Sequence, residues 1–291
     1  MRDCRVALAQ IAPGLGTVQA NLDRHLERAS VASREDAGLI VFPELSLTGY
    51  VLRDQTADVA RSIDAPEWKR LLEASHEIDL LVGFVEESDH HLFYNSMAYC
   101  SAGEIVHVHR KVYLPTYGMF EEGRDFASGE RFRAFESTAG RAGILTCEDA
   151  WHPSSAFLLA QQRAQILFVP SSGPTRGAKP GRGLTSIDVW RSLLAVTAQF
   201  QTSWIVHVNR VGCEDGLTFG GGSMVLDPFG RSTAEAPALD EALLFADLET
   251  EVLRRARTAY PLVRDADLEM VHRELGRVRA IRHELPEPED A

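Results

Sequence analysis

ILFVPSSGPTRGAKPGRGLTSIDVWRSLLAVTAQFQTSWIVHV, from Ile166 to Val208, is the segment from which the fold class of this 291-residue chain follows. It begins with a short apolar run, Ile166–Val169, and ends with another, Ser203–Val208. Between them lie a loop rich in Gly and Pro, Ser171–Gly183, and the segment Ile187–Gln201, whose apolar residues recur at helical spacing. Short apolar runs bounded by turn residues are typical of buried strands, so the segment predicts a strand, a helix and a second strand.

The same alternation continues in both directions along the chain. Further strands are predicted at Arg5–Ile11, Leu39–Phe42, Leu80–Val85, Asn95–Cys100, Glu104–Val108, Arg141–Thr146, Ser223–Leu226 and Leu243–Leu248. Further helices are predicted at Val18–Ala37, Ser154–Arg163, Glu251–Arg257 and Asp267–Arg282. Because no internal repeat or change of composition divides the chain, we expect a single α/β domain over residues 1–282, with helices covering the sheets. Residues 283–291 are acidic and rich in Pro, and we expect them to form a disordered tail.

The charge balance excludes some classes of partner. The chain has 30 Lys and Arg against 42 Asp and Glu, a formal net charge of −12. A protein that binds the nucleic-acid backbone needs surplus positive charge, so we expect no nucleic-acid partner. No stretch approaches 18 uninterrupted apolar residues, so we also expect no membrane-spanning segment.

The cysteines and the first residues bear on the cellular compartment. The four cysteines are scattered and form no Cys-x-x-Cys pair, as the positions Cys4, Cys100, Cys147 and Cys213 show. A chain long enough to build a full core does not depend on disulfides, so reduced thiols in the cytoplasm are expected. The first ten residues contain an acidic residue and only a short apolar run, which indicates a strand and not a signal peptide.

Three reactive residues each follow a run that is typical of a strand. Glu44 follows Leu-Ile-Val-Phe-Pro, Lys111 follows Ile-Val-His-Val-His-Arg, and Cys147 follows Ala-Gly-Ile-Leu-Thr. Strand ends in α/β folds converge on a shared crevice, where a thiol, an ammonium and a carboxylate form a workable nucleophilic site. From position alone, a buried packing role for the thiol and surface positions for the two charges stay open.

The sequence around these residues resembles that of the nitrilase superfamily, the carbon–nitrogen hydrolases. Val41-Phe-Pro-Glu-Leu-Ser-Leu-Thr-Gly-Tyr50 is similar to its glutamate segment, and His109-Arg-Lys-Val-Tyr-Leu-Pro115 to its lysine segment. Gly143-Ile-Leu-Thr-Cys-Glu-Asp149 resembles its nucleophile segment. The order and spacing agree, and further similarity lies in Asn209–Gly212 and Phe219–Gly230, so that the resemblance covers roughly Arg5 to Leu248.

The resemblance implies a fold, a chemistry and a role for each residue. The fold is an α-β-β-α sandwich that forms four layers. Cys147 would attack the carbon of an amide or nitrile, Glu44 would move protons, and Lys111 would stabilise the oxyanion together with the backbone N–H of Glu148. No metal and no organic cofactor is implied, and the substrate would be a small-molecule amide. The chain would form a homodimer or a higher homo-oligomer.

Other residues near these segments are candidates for supporting roles. Family members often carry a second glutamate after the lysine segment. Glu122 is preferred for it here over Glu121, although a solvated acidic pair is the alternative. Tyr117 and Phe120 would either shape the pocket or be core aromatics. Arg176, in the basic loop after residue 175, would meet a substrate carboxylate or lie in a mobile surface loop.

The resemblance is stronger to amidases, including the glutamine-hydrolysing domains of NAD synthetases, than to true nitrilases. Since the sequence shows no synthetase domain and no ATP motif, we expect a free-standing amidase. Hydrolysis of N-carbamoyl compounds and of nitriles are the alternative reactions. A catalytically inert scaffold of the same fold is the alternative outside enzymes.

The sequence disfavours two other kinds of site, a zinc site and the site of a serine hydrolase. His107 and His109 share one face of a strand, as zinc ligands do, but the rest of a ligand set is missing, so packing or hydrogen bonds that support Lys111 are favoured. The segment Gly221–Val225 departs from the Gly-x-Ser-x-Gly pattern of serine hydrolases at its last position.

Overall fold

The structure of the protein is a computed structural model that describes residues 1–175, 178–179 and 183–283. Its strands are β1 (Cys4–Gln10), β2 (Leu39–Val41), β3 (Asp79–Glu87), β4 (Phe93–Ser101), β5 (Glu104–Arg110), β6 (Phe135–Ser137), β7 (Gly140–Ile144), β8 (Ile166–Ser171), β9 (Ala178–Lys179), β10 (Gly183–Leu184), β11 (Trp204–Asn209), β12 (Val211–Glu214), β13 (Leu217–Gly220), β14 (Met224–Leu226), β15 (Ser232–Glu235) and β16 (Ala242–Leu248). Its α-helices are α1 (Val18–Arg34), α2 (Thr56–Val59), α3 (Trp68–Ala74), α4 (Glu122–Asp125), α5 (Pro153–Gln161), α6 (Thr185–Gln201), α7 (Thr250–Ala259), α8 (Leu262–Asp265) and α9 (Leu268–Arg282). Short 3-10 helices lie at Arg53–Gln55 and Cys147–Trp151.

Two six-stranded sheets form the centre of the molecule. The first has the order β16-β1-β2-β3-β4-β5 and the second the order β15-β14-β11-β8-β7-β6. Each has three parallel strands at its centre, β1-β2-β3 and β7-β8-β11, with antiparallel strands on both sides. Two antiparallel pairings separate β5 from β3, so β5 points the same way as β2 and β3. The strands that precede Glu44 and Lys111 therefore end at the same edge of the first sheet.

The two sheets face each other across an apolar layer. Alternate residues of the first sheet, such as Val6, Leu8 and Tyr99, point inward and meet residues of the second sheet such as Phe168 and Val206. This alternation is the period of two that a pleated strand imposes on its side chains. The inner layer therefore joins the sheets into one sandwich.

Helices cover the outer face of each sheet. On the first sheet, α1 and α3 bury Leu22 and Trp68 against the opposite set of alternate residues. On the second sheet, α5 and α6 bury Leu159 and Trp190 in the same way. The layers are thus helix, sheet, sheet and helix, and the predicted α-β-β-α sandwich is confirmed.

The predicted strands and helices are present, and the main differences lie at their ends. The strand predicted at Arg141–Thr146 ends early, at Ile144, because the chain turns into the 3-10 helix that begins at Cys147. The helix predicted at Val18–Ala37 ends at Arg34, since Asp36 has a φ of 60°, which an α-helix does not allow. Among the described residues, no helix is both long and apolar enough to cross a membrane.

The prediction missed several short elements. Helix α3 has 7 residues, and the hairpin of β12 and β13 has strands of 4 residues each. Segments this short give too few repeats for a periodic pattern to be recognised. The predicted tail lies outside the described residues except for His283, so this prediction and the domain boundary stay predictions.

Candidate active site

Glu44 lies in the turn that follows β2, and it is completely buried. Its Oε1 accepts hydrogen bonds from Asn95 Nδ2 at 2.8 Å and from Lys111 Nζ at 2.7 Å. Its Oε2 accepts from the backbone N–H of Ser172 at 2.7 Å. The Ser172 hydroxyl also donates to the Glu44 carbonyl oxygen at 2.9 Å, so a loop of the second sheet fixes the turn of the first. A surface position for Glu44 is therefore ruled out.

Lys111 follows β5 and is also 0% exposed. Its Nζ lies 2.7 Å from Glu44 Oε1 and 2.7 Å from Glu122 Oε1. Burial acts to lower the pKa of Lys111, but the carboxylates of Glu122 and Glu44 outweigh burial and raise this pKa well above its ordinary value. The side chain is therefore a fixed ammonium. A lysine ammonium has three N–H donors, and two of them are used by these carboxylates.

Cys147 begins the 3-10 helix that follows β7, and it has a φ of 48°. A positive φ is uncommon for a residue with a side chain and costs of order 1–3 kcal/mol, so the surrounding structure must hold this backbone in place. The side chain is 7% exposed. Burial, and next the charge of Glu44, raise the pKa of the Cys147 thiol well above its ordinary value, although Lys111 acts in the opposite direction. These electrostatic influences place Cys147 in the same cluster as Glu44 and Lys111.

Asp149 connects the segment after β5 with the segment after β7. Its Oδ1 accepts hydrogen bonds from the backbone N–H groups of Val112 and Tyr113, at 3.0 Å each. Its Oδ2 accepts from Thr146 N at 3.1 Å and from His109 Nε2 at 2.8 Å. One buried carboxylate thus fixes the backbone beside Lys111 relative to the backbone beside Cys147, and His109 donates a hydrogen bond to this carboxylate.

Glu122 and Glu121 occupy different environments. Glu122 begins α4, is buried, and bonds Lys111 and the Tyr50 hydroxyl through Oε1, whereas Glu121 is exposed. Burial raises the pKa of Glu122 to about 7, and the positive charge of Lys111 opposes this increase while Glu44 adds to it. Glu122 Oε2 is buried and has no hydrogen-bond partner among the described residues.

A cavity of about 420 Å³ opens beside Cys147. Its wall is mostly apolar and aromatic and includes Tyr117, Phe120, Cys147, Glu148, Trp151, Gly173, Pro174, Thr185, Ser186, Val189 and Trp190. The Tyr117 hydroxyl donates to the Glu148 carboxylate, with distances of 2.9 and 3.1 Å to its two oxygens. Tyr117 and Phe120 therefore line a cavity and are not core residues.

The structure brings together seven of the eight residues proposed from the sequence: Glu44, Lys111, Cys147, Glu122, Glu148, Tyr117 and Phe120. The eighth, Arg176, lies outside the described residues. Asn95, Ser172 and Tyr50 contact the cluster but were not proposed. Tyr50 ends the segment with the glutamate, so its position in the motif was an available signal. Asn95 and Ser172 gave no signal, because their contacts depend on how the strands and the two sheets pack.

In the described part of the chain, Ser223 and His107 have structural contacts. There, no group of three or more His, Cys, Asp or Glu residues is arranged to hold a metal ion. Ser223 is buried, and its hydroxyl lies 2.9 Å from Gln10 Oε1 and 3.2 Å from the Asn209 carbonyl oxygen. His107 is stacked on Phe135. Among the described residues, the four cysteines form no disulfide.

Comparison with known proteins gives a family match over most of the chain. The family model described as Carbon-nitrogen hydrolase matches residues 5–258. The chain is 34% identical over 268 residues to an (R)-stereoselective amidase of a Pseudomonas species, and the match covers 91% of this chain and 92% of the amidase. It is 28% identical over 251 residues to N-carbamoylputrescine amidase of Arabidopsis thaliana, with 80% of this chain and 83% of that protein covered.

NAD synthetases match over part of their length. The chain is 29% identical over 254 residues to the glutamine-dependent NAD(+) synthetase of Acinetobacter baylyi, and this match covers 87% of the chain but 46% of the synthetase. The chain thus spans about half the length of this relative.

Solved structures share the architecture. The carbon–nitrogen hydrolase of Helicobacter pylori has a TM-score of 0.85 at 22% identity, with 94% of this chain and 99% of that chain covered, which supports the fold alone. The amidase of Nesterenkonia sp. AN1 has a TM-score of 0.77 at 26% identity, with 92% of this chain and 95% of that chain covered. In that structure, a Glu-to-Gln variant, the acetamide moiety of fluoroacetamide is covalently added at the active-site cysteine.

Proposed function

The chain belongs to the carbon–nitrogen hydrolase family and is a hydrolase, and on this premise we propose that it cleaves small amides with Cys147 as the nucleophile. The products are ammonia and a carboxylic acid. The observation that carries the proposal is the buried cluster of Glu44, Lys111 and Glu122 beside a thiol that lines a cavity. The covalent adduct at the cysteine of the Nesterenkonia amidase supports a nucleophilic role for Cys147.

In the first half of the reaction, Cys147 Sγ attacks the amide carbon while Glu44 takes the thiol proton. This base is needed because burial and the neighbouring carboxylates raise the pKa of the Cys147 thiol, so the resting group is protonated. The tetrahedral intermediate carries its negative charge on the former carbonyl oxygen. When it collapses, the C–N bond breaks, Glu44 returns the proton to the nitrogen, ammonia leaves, and a thioester with Cys147 remains.

Lys111 and the Glu148 backbone N–H are proposed to stabilise the oxyanion. Two of the three N–H donors of Lys111 contact Glu44 and Glu122, which leaves the third for a substrate oxygen. Glu122 Oε2 is a buried acceptor without a partner in the described residues, and it is available for a substrate N–H. In the second half of the reaction, Glu44 takes a proton from a water molecule, whose oxygen attacks the thioester carbon. The C–S bond then breaks, the acid leaves, and the proton held by Glu44 returns to the Cys147 sulfur.

The cavity restricts the substrate to a small molecule. A volume of about 420 Å³ and a wall of aromatic residues fit an amide with a compact apolar group. The N-carbamoylputrescine amidase relative supports N-carbamoyl compounds as the second candidate substrate class. Nitriles are the third.

Ammonia release tests the proposal directly. The wild type, Cys147→Ala and Cys213→Ala are incubated with a panel of apolar amides, ω-amides, N-carbamoyl compounds and nitriles. We expect ammonia from the wild type and from Cys213→Ala, whose thiol is exposed and lies outside the site, but none from Cys147→Ala. Equal inactivity of the wild type and Cys147→Ala across the panel would overturn the proposal and favour a non-catalytic scaffold.

The expected homodimer and the cytoplasmic location stay predictions. Helix α6 buries one face and exposes Val189, Val196 and Phe200 on the other, and α9 exposes Leu275 and Ile281. A second copy of the chain would cover such apolar side chains. Light scattering after size-exclusion chromatography measures the mass, and a monomer at micromolar concentration would contradict the dimer.

A further inference from the structure

A buried ion pair lies outside the cluster of Cys147, Glu44 and Lys111. Arg210 is 1% exposed and Glu214 is 5% exposed, and the Arg210 guanidinium donates to Glu214 Oε1. Arg210 also donates to the Pro13 carbonyl oxygen at 3.3 Å and lies over the Phe219 ring, 4.2 Å from its centroid. Removing two charges from water is costly, and this cost offsets much of their mutual attraction, so such a pair is weak as a source of stability. The position of the Arg210–Glu214 pair is better explained by the hydrogen bonds that the Glu214 carboxylate accepts.

The second oxygen of Glu214 holds the backbone of the turn that contains Tyr50. Glu214 Oε2 accepts from the N–H groups of Tyr50 at 2.9 Å and Val51 at 3.0 Å. Gly49 makes this approach possible, because a Cβ at this position would lie 2.8 Å from Glu214 Oε1 and its φ is 81°. The Tyr50 ring also packs edge-on against Phe219, with 6.0 Å between the ring centroids. The backbone and the ring of Tyr50 are therefore both fixed.

The hydroxyl at the other end of Tyr50 reaches the cluster. It donates to Glu122 Oε1, the same oxygen that accepts from Lys111 Nζ. A chain of contacts thus runs from the Arg210–Glu214 pair through Tyr50 to Glu122 and Lys111.

We propose that Tyr50 is a positioning residue, held by the Arg210–Glu214 ion pair so that its hydroxyl fixes the Glu122 carboxylate against Lys111. This inference rests on the proposed function, in which Lys111 stabilises the oxyanion. Two donors on Oε1 restrain the orientation of the Glu122 carboxylate, and the Lys111 ammonium that bonds to it is restrained in turn. The hydroxyl favours the ionised form of Glu122, the form that can hold an ammonium.

Loss of the Tyr50 hydroxyl should shift the pKa of Glu122, and the direction of this shift can be measured. Among the described residues, Lys111, Glu44, Tyr50 and Cys147 interact electrostatically with Glu122, and Arg53, Glu121, Asp125 and Asp215 line a cavity together with it. Of these groups, Lys111 and Tyr50 stabilise the negative charge of Glu122. Burial raises the pKa of Glu122 to about 7, and the hydrogen bond from Tyr50 acts to lower it. Without that bond the pKa of Glu122 rises further, and the acid limb of the activity profile moves to higher pH.

The test compares Tyr50→Phe with the matched control Tyr99→Phe. Tyr99 is also buried and donates its hydroxyl to a carboxylate, that of Asp79, but it lies in the inner core away from Cys147. For Tyr50→Phe we expect kcat to fall about 10-fold or more, as for the loss of a hydrogen bond to a charged group. We expect KM to change less than kcat and the acid limb of kcat/KM to move upward. For Tyr99→Phe we expect a lower Tm with the acid limb unmoved.

A second measurement does not depend on turnover. The rate at which iodoacetamide alkylates Cys147, followed by peptide mass against pH, has an inflection where the neighbouring Glu122 ionises. This inflection should move to higher pH in Tyr50→Phe and stay in place in Tyr99→Phe.

The two proposals fail in different ways. If the wild type hydrolyses nothing, the proposed function fails and the alkylation profile decides the role of Tyr50. If the wild type is active but Tyr50→Phe keeps the wild-type kcat and acid limb, or its alkylation profile is unchanged, the positioning role is overturned.

Discussion

The Cys147 thiol is surrounded by more negative than positive groups. Burial and the carboxylates of Glu44, Glu122 and Glu148 raise its pKa, and the positive charge of Lys111 opposes this increase. A preformed thiolate is therefore disfavoured at neutral pH, unlike in sites where a cysteine lies next to a helix N-terminus or a histidine cation. The proposed mechanism therefore needs a base that takes the proton during attack, and it assigns this role to Glu44, a buried carboxylate whose charge acts on the Cys147 thiol.

Glu44→Gln tests this dependence at the scale of one residue. The amide has nearly the shape of the carboxylate but cannot take a proton, so we expect kcat/KM to fall by about 10²- to 10⁴-fold. The matched control is Glu86→Gln, since Glu86 is a buried carboxylate of the same sheet that bonds Ser96 and Arg110. Ammonia release and Tm are measured for both variants. Activity of Glu44→Gln within a few-fold of the wild type would refute the role of Glu44.

Part of the site could be predicted from the sequence, and part could not. Glu44, Lys111 and Cys147 lie in motifs, so their identity was available from the order of residues alone. The sequence did not predict that these three side chains are completely or almost completely buried, because Glu and Lys side chains are usually exposed. The contacts of Ser172 with Glu44 join residues from two sheets, and no local pattern encodes which loop meets which.

At the scale of elements, Asp149 holds the segments after β5 and β7 in a fixed position relative to each other. Its two oxygens accept four hydrogen bonds in total, from Val112 N, Tyr113 N, Thr146 N and His109 Nε2. Both oxygens are therefore acceptors of two N–H groups each. This arrangement requires a carboxylate, because an amide has one acceptor oxygen and would direct its NH₂ group at two other donors.

Asp149→Asn should therefore harm both stability and activity. We expect a loss of about 3 kcal/mol in the free energy of unfolding, since buried donors lose a charged acceptor, and at least a 10-fold fall in kcat of the folded protein. Urea unfolding and ammonia release measure the two effects. Asp227→Asn is the control, because Asp227 accepts from Phe229 N and Arg231 N in a distant turn and should affect stability alone. A kcat equal to the wild type in Asp149→Asn would show that Asp149 does not align the two segments.

The elements themselves could be predicted where the pattern was long enough. Strand β11 was predicted from a continuous apolar run, and helix α6 was predicted from the helical spacing of its apolar residues. Helix α3 and the hairpin of β12 and β13 were missed, although the hairpin supplies Glu214, which bonds the turn with Tyr50. The order of strands in each sheet depends on pairing between distant segments, so the spacing of apolar residues along the sequence does not predict it.

At the scale of the whole molecule, the interior contains histidines that must stay neutral. His25 and His207 are completely buried, in the layers between the sheets and the outer helices. Burial lowers the pKa of each from 6.5 to about 4. Each ring has a hydrogen bond through Nδ1 to a carbonyl oxygen, that of Asn21 or Val169, which a neutral imidazole can donate.

These histidines make the fold sensitive to acid. Between pH 6.5 and about 4 the unfolded chain binds protons that the folded chain excludes, so the stability they contribute is present above pH 6.5 and is lost as pH falls. The difference in pKa corresponds to about 3 kcal/mol per histidine over that window. Urea unfolding at pH 7.5, 6 and 5 should show a decreasing free energy of unfolding.

Variants separate the contribution of one histidine from the rest. His207→Gln should flatten the dependence of stability on pH, whatever its effect on stability at pH 7.5. His90→Gln should leave the dependence unchanged, because His90 is exposed. An equal slope in His207→Gln and the wild type would contradict a buried neutral His207.

The sandwich as a whole assembles the site. Glu44 and Lys111 follow strands of the first sheet, whereas Cys147 and Ser172 follow strands of the second. The fold class could be predicted because the family resemblance and the strand pattern agreed, and the layers depend on alternation that the sequence displays. The strand ends that precede Glu44 and Lys111 lie close to those that precede Cys147 and Ser172 because the two sheets pack on each other. The sequence predicted this closeness only through the general rule that strand ends converge in α/β folds.

The proposed function depends on a covalent thioester between Cys147 and the acyl group of an amide. The most direct measurement is peptide mass spectrometry of the enzyme quenched in acid during turnover of an amide from the panel. The Cys147 peptide should gain the mass of the acyl group, hydroxylamine should remove this mass, and Cys147→Ala should show no adduct. Turnover with no acyl mass on Cys147, or with the acyl group on another residue, would show that the reaction does not pass through a thioester at Cys147.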